Sequence, residues 1–276
     1  MTYVSAYIPC FNNRKTIASV ITSVQKQSFG IEEILVIDDG STDDSAEIAA
    51  KHGVKVVRQA FNLGRGATRL RGMTETRHQL VLCCDATNVL PADFVATAVP
   101  WFERSDVAAV CGQCRQRPGG NAVTRWQGRH LFKVDFQRMG PDERTKLATG
   151  CAVVRRSAVE EVGNFNPLLR HSEDAELGKR LLAGGWKVVV DPRLIAFSIA
   201  CNSLAQVMER YWRWYAGADE PISVNGYVRN IWYSMRTMVM EDLAARDFPT
   251  AFISLLVPHY QFWRSVLRKI LKRTQW

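Results

Sequence analysis

The sequence predicts an α/β fold: a Rossmann-like, mostly parallel sheet with helices on both faces, followed by a helical C-terminal extension. Three observations lead there. Over the first 115 residues, short apolar runs alternate with segments of helical periodicity. Three of those runs end in polar clusters: Pro9-Cys10-Phe11-Asn12, Asp38-Asp39-Gly40-Ser41 and Asp85-Ala86-Thr87-Asn88. The chain of 276 residues is 47% apolar, and a domain of ~250 residues buries roughly three quarters of its extended surface.

The elements follow in order. Tyr3–Pro9 is a short apolar run ending at proline, so a strand. Lys15–Gln27 repeats apolar residues at 17, 20, 21 and 24, one face of a helix. Glu33–Ile37 is a β-branched strand, and Ser41 or Thr42 can cap a helix over Asp43–His52. Val54–Arg58 reads as a strand, Gly64–Thr76 as a helix and Leu80–Cys84 as a strand. Pro91–Phe102 is a helix with proline at its start, and Val107–Cys114 is a strand. Right-handed crossovers between such strands make the sheet parallel, and ligands of such sheets bind at the strands' carboxyl ends.

The second half is less regular. Arg115–Lys146 is polar, with a turn at Pro118-Gly119-Gly120-Asn121. Ala148–Val154 reads as a strand and Ser157–Val162 as a short helix. Glu173–Gly184 is a helix with Leu177, Leu181 and Leu182 on its apolar face, stopped by Gly184-Gly185. Trp186–Val190 is a strand and Leu204–Trp214 an aromatic, basic helix. With no internal repeat and no clear linker, one domain with an extension is the expected organisation.

Composition excludes several classes. Such an apolar, aromatic-rich chain is not disordered. Its longest apolar candidate, the seven residues Ala251–Val257, already contains Ser254 and is far below the ~20 residues that cross a bilayer. The seven cysteines are odd in number and irregularly spaced, no signal peptide opens the sequence and no glycosylation sequon occurs. A reduced, cytoplasmic setting is therefore expected. Cys111-Gly112-Gln113-Cys114 ends a strand and lacks a second ligand pair, so it reads as structural. No Gly-x-Gly-x-x-Gly follows the first strand, and no P-loop occurs.

The net charge is +9. Residues 1–100 are neutral overall, whereas 101–200 carry 16 basic against 11 acidic residues and 201–276 carry 10 against 6. An anionic partner would meet the later parts of the chain. No recognised nucleic-acid-binding motif accompanies the charge, so no nucleic-acid partner is expected.

Six segments together resemble an inverting, nucleotide-sugar-dependent glycosyltransferase of family 2 with the GT-A fold. They are Ile8–Asn12, Asp38–Asp43, Asn62–Gly72, Gly150–Ala158 with Val162–Phe165, Glu173-Asp174, and Arg210-Tyr211-Trp212-Arg213-Trp214. The resemblance covers about residues 3–215. It implies a catalytic domain over 1–215, with a donor half to about 115 and an acceptor half over 116–215. A basic, amphipathic extension occupies 216–276. The implied reaction moves a sugar, most simply from a UDP-sugar, to a hydroxyl of a saccharide or lipid-linked acceptor in cell-surface polysaccharide or glycolipid synthesis.

The resemblance also distributes roles. Pro9, Phe11, Asn12, Asp38, Asp39, Arg69, Asp85 and Ala86 would form the donor side. Asp39 could accept the imide N–H of uracil while Phe11 packs on the ring. Asp38 could instead cap the Ser41–Asp44 turn. Arg69 could approach the diphosphate or simply solvate its helix. Asp174 matches the general base, with Glu173 beside it, although acids in a first helical turn are also favoured by the helix dipole alone. Gly150, Cys151, Arg210, Arg213 and Trp214 would serve the acceptor and the diphosphate, the arginines meeting negative charge as it develops.

One position departs from the family pattern. Thr87 stands where most members carry the second acid of Asp-x-Asp. The Mg²⁺ or Mn²⁺ that the family implies would have Asp85 and a neutral hydroxyl, a weak donor pair for a hard cation. A metal held mainly by Asp85 and phosphates, a metal-free reaction relying on arginines, and a weakened enzyme or non-catalytic nucleotide-sugar-binding partner all follow from that substitution. The run Phe248–Leu271 mixes large apolar and basic residues. It suits an interfacial helix on the anionic inner face of the cell membrane, a helix packed on the domain, or a dimer contact.

Overall fold

The computed structural model describes residues 3–116, 119–132, 140–143, 146–215 and 222–273, with side chains as far as Ile270. Part of the expected Pro118–Asn121 turn and the expected boundary at 215/216 touch residues outside this set. The described residues gather into two compact units: 1–115 with 137–200, and 116–136 with 201–276.

The first unit is built on an eight-stranded sheet. Its strands are β1 (Val4–Cys10), β2 (Ile31–Asp38), β3 (Lys55–Arg58), β4 (Leu80–Cys84), β5 (Asn88–Val89), β6 (Val107–Gln116), β7 (Cys151–Arg155) and β8 (Lys187–Ser198). They lie in the order β3-β2-β1-β4-β7-β6-β8-β5. From β3 through β4 the pairings are parallel, as the alternating sequence predicts. Beyond β4 they turn antiparallel: β7 pairs with both β4 and β6, and β5 pairs with β8. The sheet is therefore mixed. The parallel expectation holds only where each strand is followed by a crossover helix.

Residue alternation decides which helices cover which face. Val4, Ala6 and Ile8 of β1 join Ile17, Val20, Ile21 and Val24 of α1 (Ile17–Gln25) in one core cluster. Tyr7 points the other way. It joins Met73 of α3 (Arg65–Glu75), Val159 of α6 (Arg156–Glu161), and Leu177 and Leu181 of α7 (Glu173–Ala183). Each such fully buried aliphatic side chain contributes about 1.5–3 kcal/mol. Two short helices, α2 (Ser45–Lys51) and α4 (Phe94–Ala98), complete the layers. After α4 the chain tightens into a 3₁₀ turn, Val99–Glu103, at Pro100, a residue without the N–H that an α-helix needs.

In the second unit, α5 (Ala122–Trp126) continues into a π-turn over Gln127–Leu131. It is followed by α8 (Leu204–Tyr215), α9 (Val224–Tyr233) with a π-turn at Ser234–Val239, α10 (Met240–Ala244) and α11 (Phe248–Arg273). Trp126, Leu131, Val207, Met208, Tyr211, Met238, Ile253 and Val257 form its core. The sequence reading assigns α8 to the first domain. In the structure α8 packs with α11, because its aromatic face finds cover there: Trp212 is buried and donates its indole N–H to Ser265 at 3.0 Å.

The unit's hydrogen-bonded centre is Asp242, which is fully buried. It accepts from the Arg129 guanidinium and, at 2.6 Å, from the Ser254 hydroxyl, and His130 Nε2 lies 2.9 Å from it. No described helix is long and apolar enough to cross a membrane. The seven cysteines are free thiols. Burial pushes the Cys111 thiol up to about 12, which fits the structural reading of Cys111–Cys114.

Candidate active site

The site lies at the carboxyl ends of the parallel strands, and its floor is knitted from two loops. Backbone N–H groups after β1 donate to side chains after β2: Asn12 to Ser41 Oγ at 2.9 Å and Asn13 to Ser45 Oγ at 2.7 Å. In return, Thr42 N–H donates to Asn12 Oδ1 at 2.9 Å. Gly40 permits this arrangement, since its φ is +71° and a Cβ there would lie 2.7 Å from the Phe61 carbonyl carbon.

Asp38 is fully buried. Its carboxylate faces Arg58 Nε at 3.3 Å and accepts from Ser41 N–H at 3.3 Å, the turn-capping geometry. Asp39 accepts three protein N–H groups: Leu63 N–H at 2.7 Å, Gly64 N–H at 3.0 Å and Gln59 Nε2 at 2.7 Å. Burial raises its pKa, and the two backbone N–H groups oppose that rise. Asp39 thus pins the loop leading into α3, and that role was not readable from its motif. Phe11, in the loop after β1, is 43% exposed. Pro9 is the last residue but one of β1, pairing in register with Ile37.

At the centre stands Arg69 on α3. The sequence places it at a diphosphate or in solvent. The structure instead buries it, 1% exposed, because three acceptors converge on its guanidinium. Nε donates to Glu173 Oε1 at 2.9 Å, one terminal nitrogen to Asp85 Oδ1 at 2.6 Å, and the other to the Thr149 carbonyl at 3.3 Å. Burial opposes its charge, but Asp85 first and then Tyr7, Glu173 and Asp174 hold its pKa well above the ordinary value. Glu173 is likewise buried, and its Oε2 has no hydrogen-bond partner in the protein, nor does Thr149 Oγ1.

Ser172, in left-handed conformation with φ +61°, precedes α7 and turns the chain there. Glu173 goes inward to Arg69, while Asp174 remains half-buried. Asp174 accepts from the Ala175 N–H at 2.8 Å and the Thr149 N–H at 3.4 Å. Its pKa is raised, by burial first and then by the like charge of Glu173, with Arg69 opposing. A carboxylate made more basic in this way is suited to take a proton.

Asp85, Ala86 and Thr87 follow β4 directly. Asp85 N–H donates to the Gly150 carbonyl at 3.0 Å, and Asn88 Nδ2 reaches the same oxygen at 2.9 Å. A Cβ on Gly150 would lie 3.2 Å from Asn88 Nδ2 and 3.3 Å from Asp85 Oδ2, so a larger residue would press on both side chains. Cys151 follows, buried and directly opposite Cys84 in the sheet. Thr149 and Gln59 escaped the sequence reading, whereas Asn88 belongs to the strand-end cluster named there. Thr149 adjoins a motif already recognised, and that adjacency was the available signal.

The expected Mg²⁺ or Mn²⁺ meets an incomplete donor set. At this strand end Asp85 supplies the carboxylate and one of its oxygens is engaged by Arg69, while Thr87 is neutral. Among the described residues no three His, Cys, Asp or Glu side chains gather to hold a metal. The residues present therefore do not fit a hard cation caged by protein carboxylates.

Arg210, Arg213 and Trp214 lie on α8 in the second unit. Trp214 is half exposed, with its ring 6.5 Å from Phe132.

A mixed sheet with its polar loops at the ends of parallel strands, and an inward acid and an outward acid opening one helix, is a GT-A-type glycosyltransferase fold. Residues 5–163 match the family described as glycosyl transferase family 2, and the chain belongs to that family. It is 22% identical over 247 residues to a poly-β-1,6-N-acetyl-D-glucosamine synthase of Staphylococcus epidermidis, covering 85% of this chain and 58% of that protein. The chain thus spans little more than half of that relative's length. Among solved structures it resembles S. aureus TarS 1–349 in complex with UDP-GlcNAc, with a TM-score of 0.57, 17% identity, and coverage of 79% of this chain and 68% of that one. It also resembles a mannosyltransferase from Pyrobaculum calidifontis in complex with GDP-Man and Mn²⁺, with a TM-score of 0.58, 15% identity, and coverage of 96% and 73%.

Proposed function

We propose that the chain is an inverting glycosyltransferase that moves a sugar from a nucleotide-sugar, most simply a UDP-sugar, to a hydroxyl of a saccharide or lipid-linked acceptor in cell-surface polysaccharide synthesis. The observation that carries this reading is Asp174: half-buried, raised in pKa, and held beside the Arg69–Glu173–Asp85 network at the opening of α7. Asp174 takes the acceptor hydroxyl's proton as that oxygen attacks the anomeric carbon. The bond from that carbon to the leaving phosphate oxygen breaks, and its electron pair leaves with the nucleoside diphosphate. Attack opposite the leaving group inverts the configuration.

Glu173 and Arg69 are positioning residues. They fix Thr149 and Asp85, and through them the orientation of Asp174. Phe11 and Asp39 would meet the base, Asp85 and Ala86 the ribose side, and Arg210 and Arg213 the diphosphate. The basic, amphipathic run after residue 216 supports work at the anionic inner face of the cell membrane.

A calorimetric screen of UDP-, GDP- and dTDP-sugars, followed by turnover of whichever binds, tests the reading. The expected result is binding of one nucleotide class and transfer with an inverted anomeric centre. Binding without turnover of any nucleotide-sugar would favour a non-catalytic partner, the reading that Thr87 alone motivates.

A further inference from the structure

The second unit presents an apolar face that its own packing leaves open. Helices α9 and α11 lie side by side and antiparallel, because partner numbers fall along α11 as they rise along α9. Tyr227 stacks on Phe262 with centroids 4.5 Å apart, Asn230 donates to Gln261 at 3.2 Å, and the Ser234 hydroxyl donates to the Ser254 carbonyl at 2.6 Å. The residue following each seam residue is rotated ~100° around its helix. In an antiparallel pair of right-handed helices, that rotation carries both sets to the same side.

On α9 and its π-turn this side holds Val224, Val228, Trp232 and Met235. On α11 it holds Phe252, Leu255, Trp263 and Leu267. Every one is exposed; Val224, Trp232, Phe252 and Trp263 are 71, 59, 62 and 61% exposed. A contiguous exposed apolar face of this kind marks an interaction surface.

Charge selects the occupant. Helices α9 and α11 carry no acidic residue, and nearby acids are engaged elsewhere in the unit: Asp242 by Arg129 and Ser254, Asp247 by Arg125 at 2.6 Å, Glu209 on α8 by Arg264 at 2.9 Å, and the exposed Glu241 on α10 lies 3.5 Å from His130. Exposed cations border the stripe instead. Arg229 and Arg236 each follow a stripe residue by one position, and the Arg236 guanidinium lies 4.9 Å from the Trp232 ring centroid. Tryptophans on an apolar stripe with arginines at its margin match the headgroup level of an anionic bilayer. The geometry points to the α9–α11 face as a docking surface for an anionic lipid bilayer, its stripe immersed among the headgroups and its helices parallel to the membrane plane. This rests on the membrane reading above and assigns it to one face built from two helices, instead of the C-terminal run alone.

Flotation of the full chain with phosphatidylcholine vesicles, with and without phosphatidylglycerol, tests it, read alongside nucleotide-sugar turnover in solution. The expected result is co-flotation with the anionic vesicles, weakened by salt, with a blue shift of tryptophan emission. The triple variant Trp232→Ser, Phe252→Ser, Trp263→Ser should lose at least about tenfold of that binding, the transfer of three large side chains far exceeding one factor of ten. Because these side chains are exposed, the variant should keep its unfolding midpoint. Arg229→Gln with Arg236→Gln should reduce the preference for phosphatidylglycerol. Wild-type chain that never floats overturns both the face and the membrane reading, while continued turnover leaves the transferase reading standing. Flotation unchanged in the triple variant overturns the face alone. A concentration-dependent dimer abolished by the same triple variant, without vesicle binding, overturns it in favour of a second copy.

Discussion

Each unit sets an arginine among acids, Arg69 fully buried in the first and Arg129 partly buried in the second, and they finish the arrangement differently. In the second unit Arg129, His130, Ser254 and Asp242 close on one another within a helical core. In the first, Arg69 is flanked by Glu173 and Asp85, yet Glu173 Oε2 and Thr149 Oγ1 lack partners and the adjacent Asp174 is left half-buried with a raised pKa. A closed network holds elements together. An incompletely satisfied one beside an opening keeps a group ready for chemistry. The contrast can be broken by experiment.

The largest effect is expected at Asp174. Asp174→Asn should lower transfer about 10²–10⁴-fold, the usual worth of a general base, while nucleotide binding by calorimetry and the unfolding midpoint stay near wild type. Full activity would remove the assignment of the base. Next come the two buried hubs. Arg69→Met and Asp242→Asn should each cost about 3–5 kcal/mol in denaturant unfolding, the penalty for stranding a buried charge. Only Arg69→Met should also reduce turnover per folded molecule. If Asp242→Asn reduced it equally, the division between a closed and an open network would fail.

Glu173→Gln gives a smaller, directional effect. Burial and then the Glu173 charge raise the Asp174 pKa, and the base must be ionised to act. The acid limb of the rate profile therefore lies above the ordinary aspartate range, and removing the like charge should move it to lower pH. A limb that moves upward would contradict the electrostatic account. Smallest in wild type is the response to metal. UDP affinity should change little between EDTA and Mn²⁺, and Thr87→Asp, by supplying a second carboxylate, should make Mn²⁺ tighten it.

Much of this arrangement could be read before any coordinates. The alternation through Val110, the strand-end clusters and the acidic pair at 173–174 are local patterns, and local patterns survive in sequence. Arg69 could not be read correctly. A cation on a polar helix looks solvated until Thr149 and Glu173 are brought to it from the far half of the chain. The antiparallel turn of the sheet after β4 and the twelve residues of β8 escaped for a similar reason, since pairing direction depends on where the chain returns. Likewise, α8 reads as the end of a catalytic domain, yet the cover for Trp212 comes from Ser265 and its neighbours.

The reach of Arg69 across 104 residues to Glu173 has a consequence for how the molecule comes into being. During synthesis, Asp85 follows Arg69 closely, but Glu173, the second carboxylate that neutralises it, leaves the ribosome long after. Until Glu173 follows, α3 has a cation compensated only by Asp85 facing what will become the interior. Docking of α3 on the sheet and closure of the site are therefore one late event set by chain order. Nascent chains ending before residue 173 should therefore leave α3 more open to protease than the full chain does.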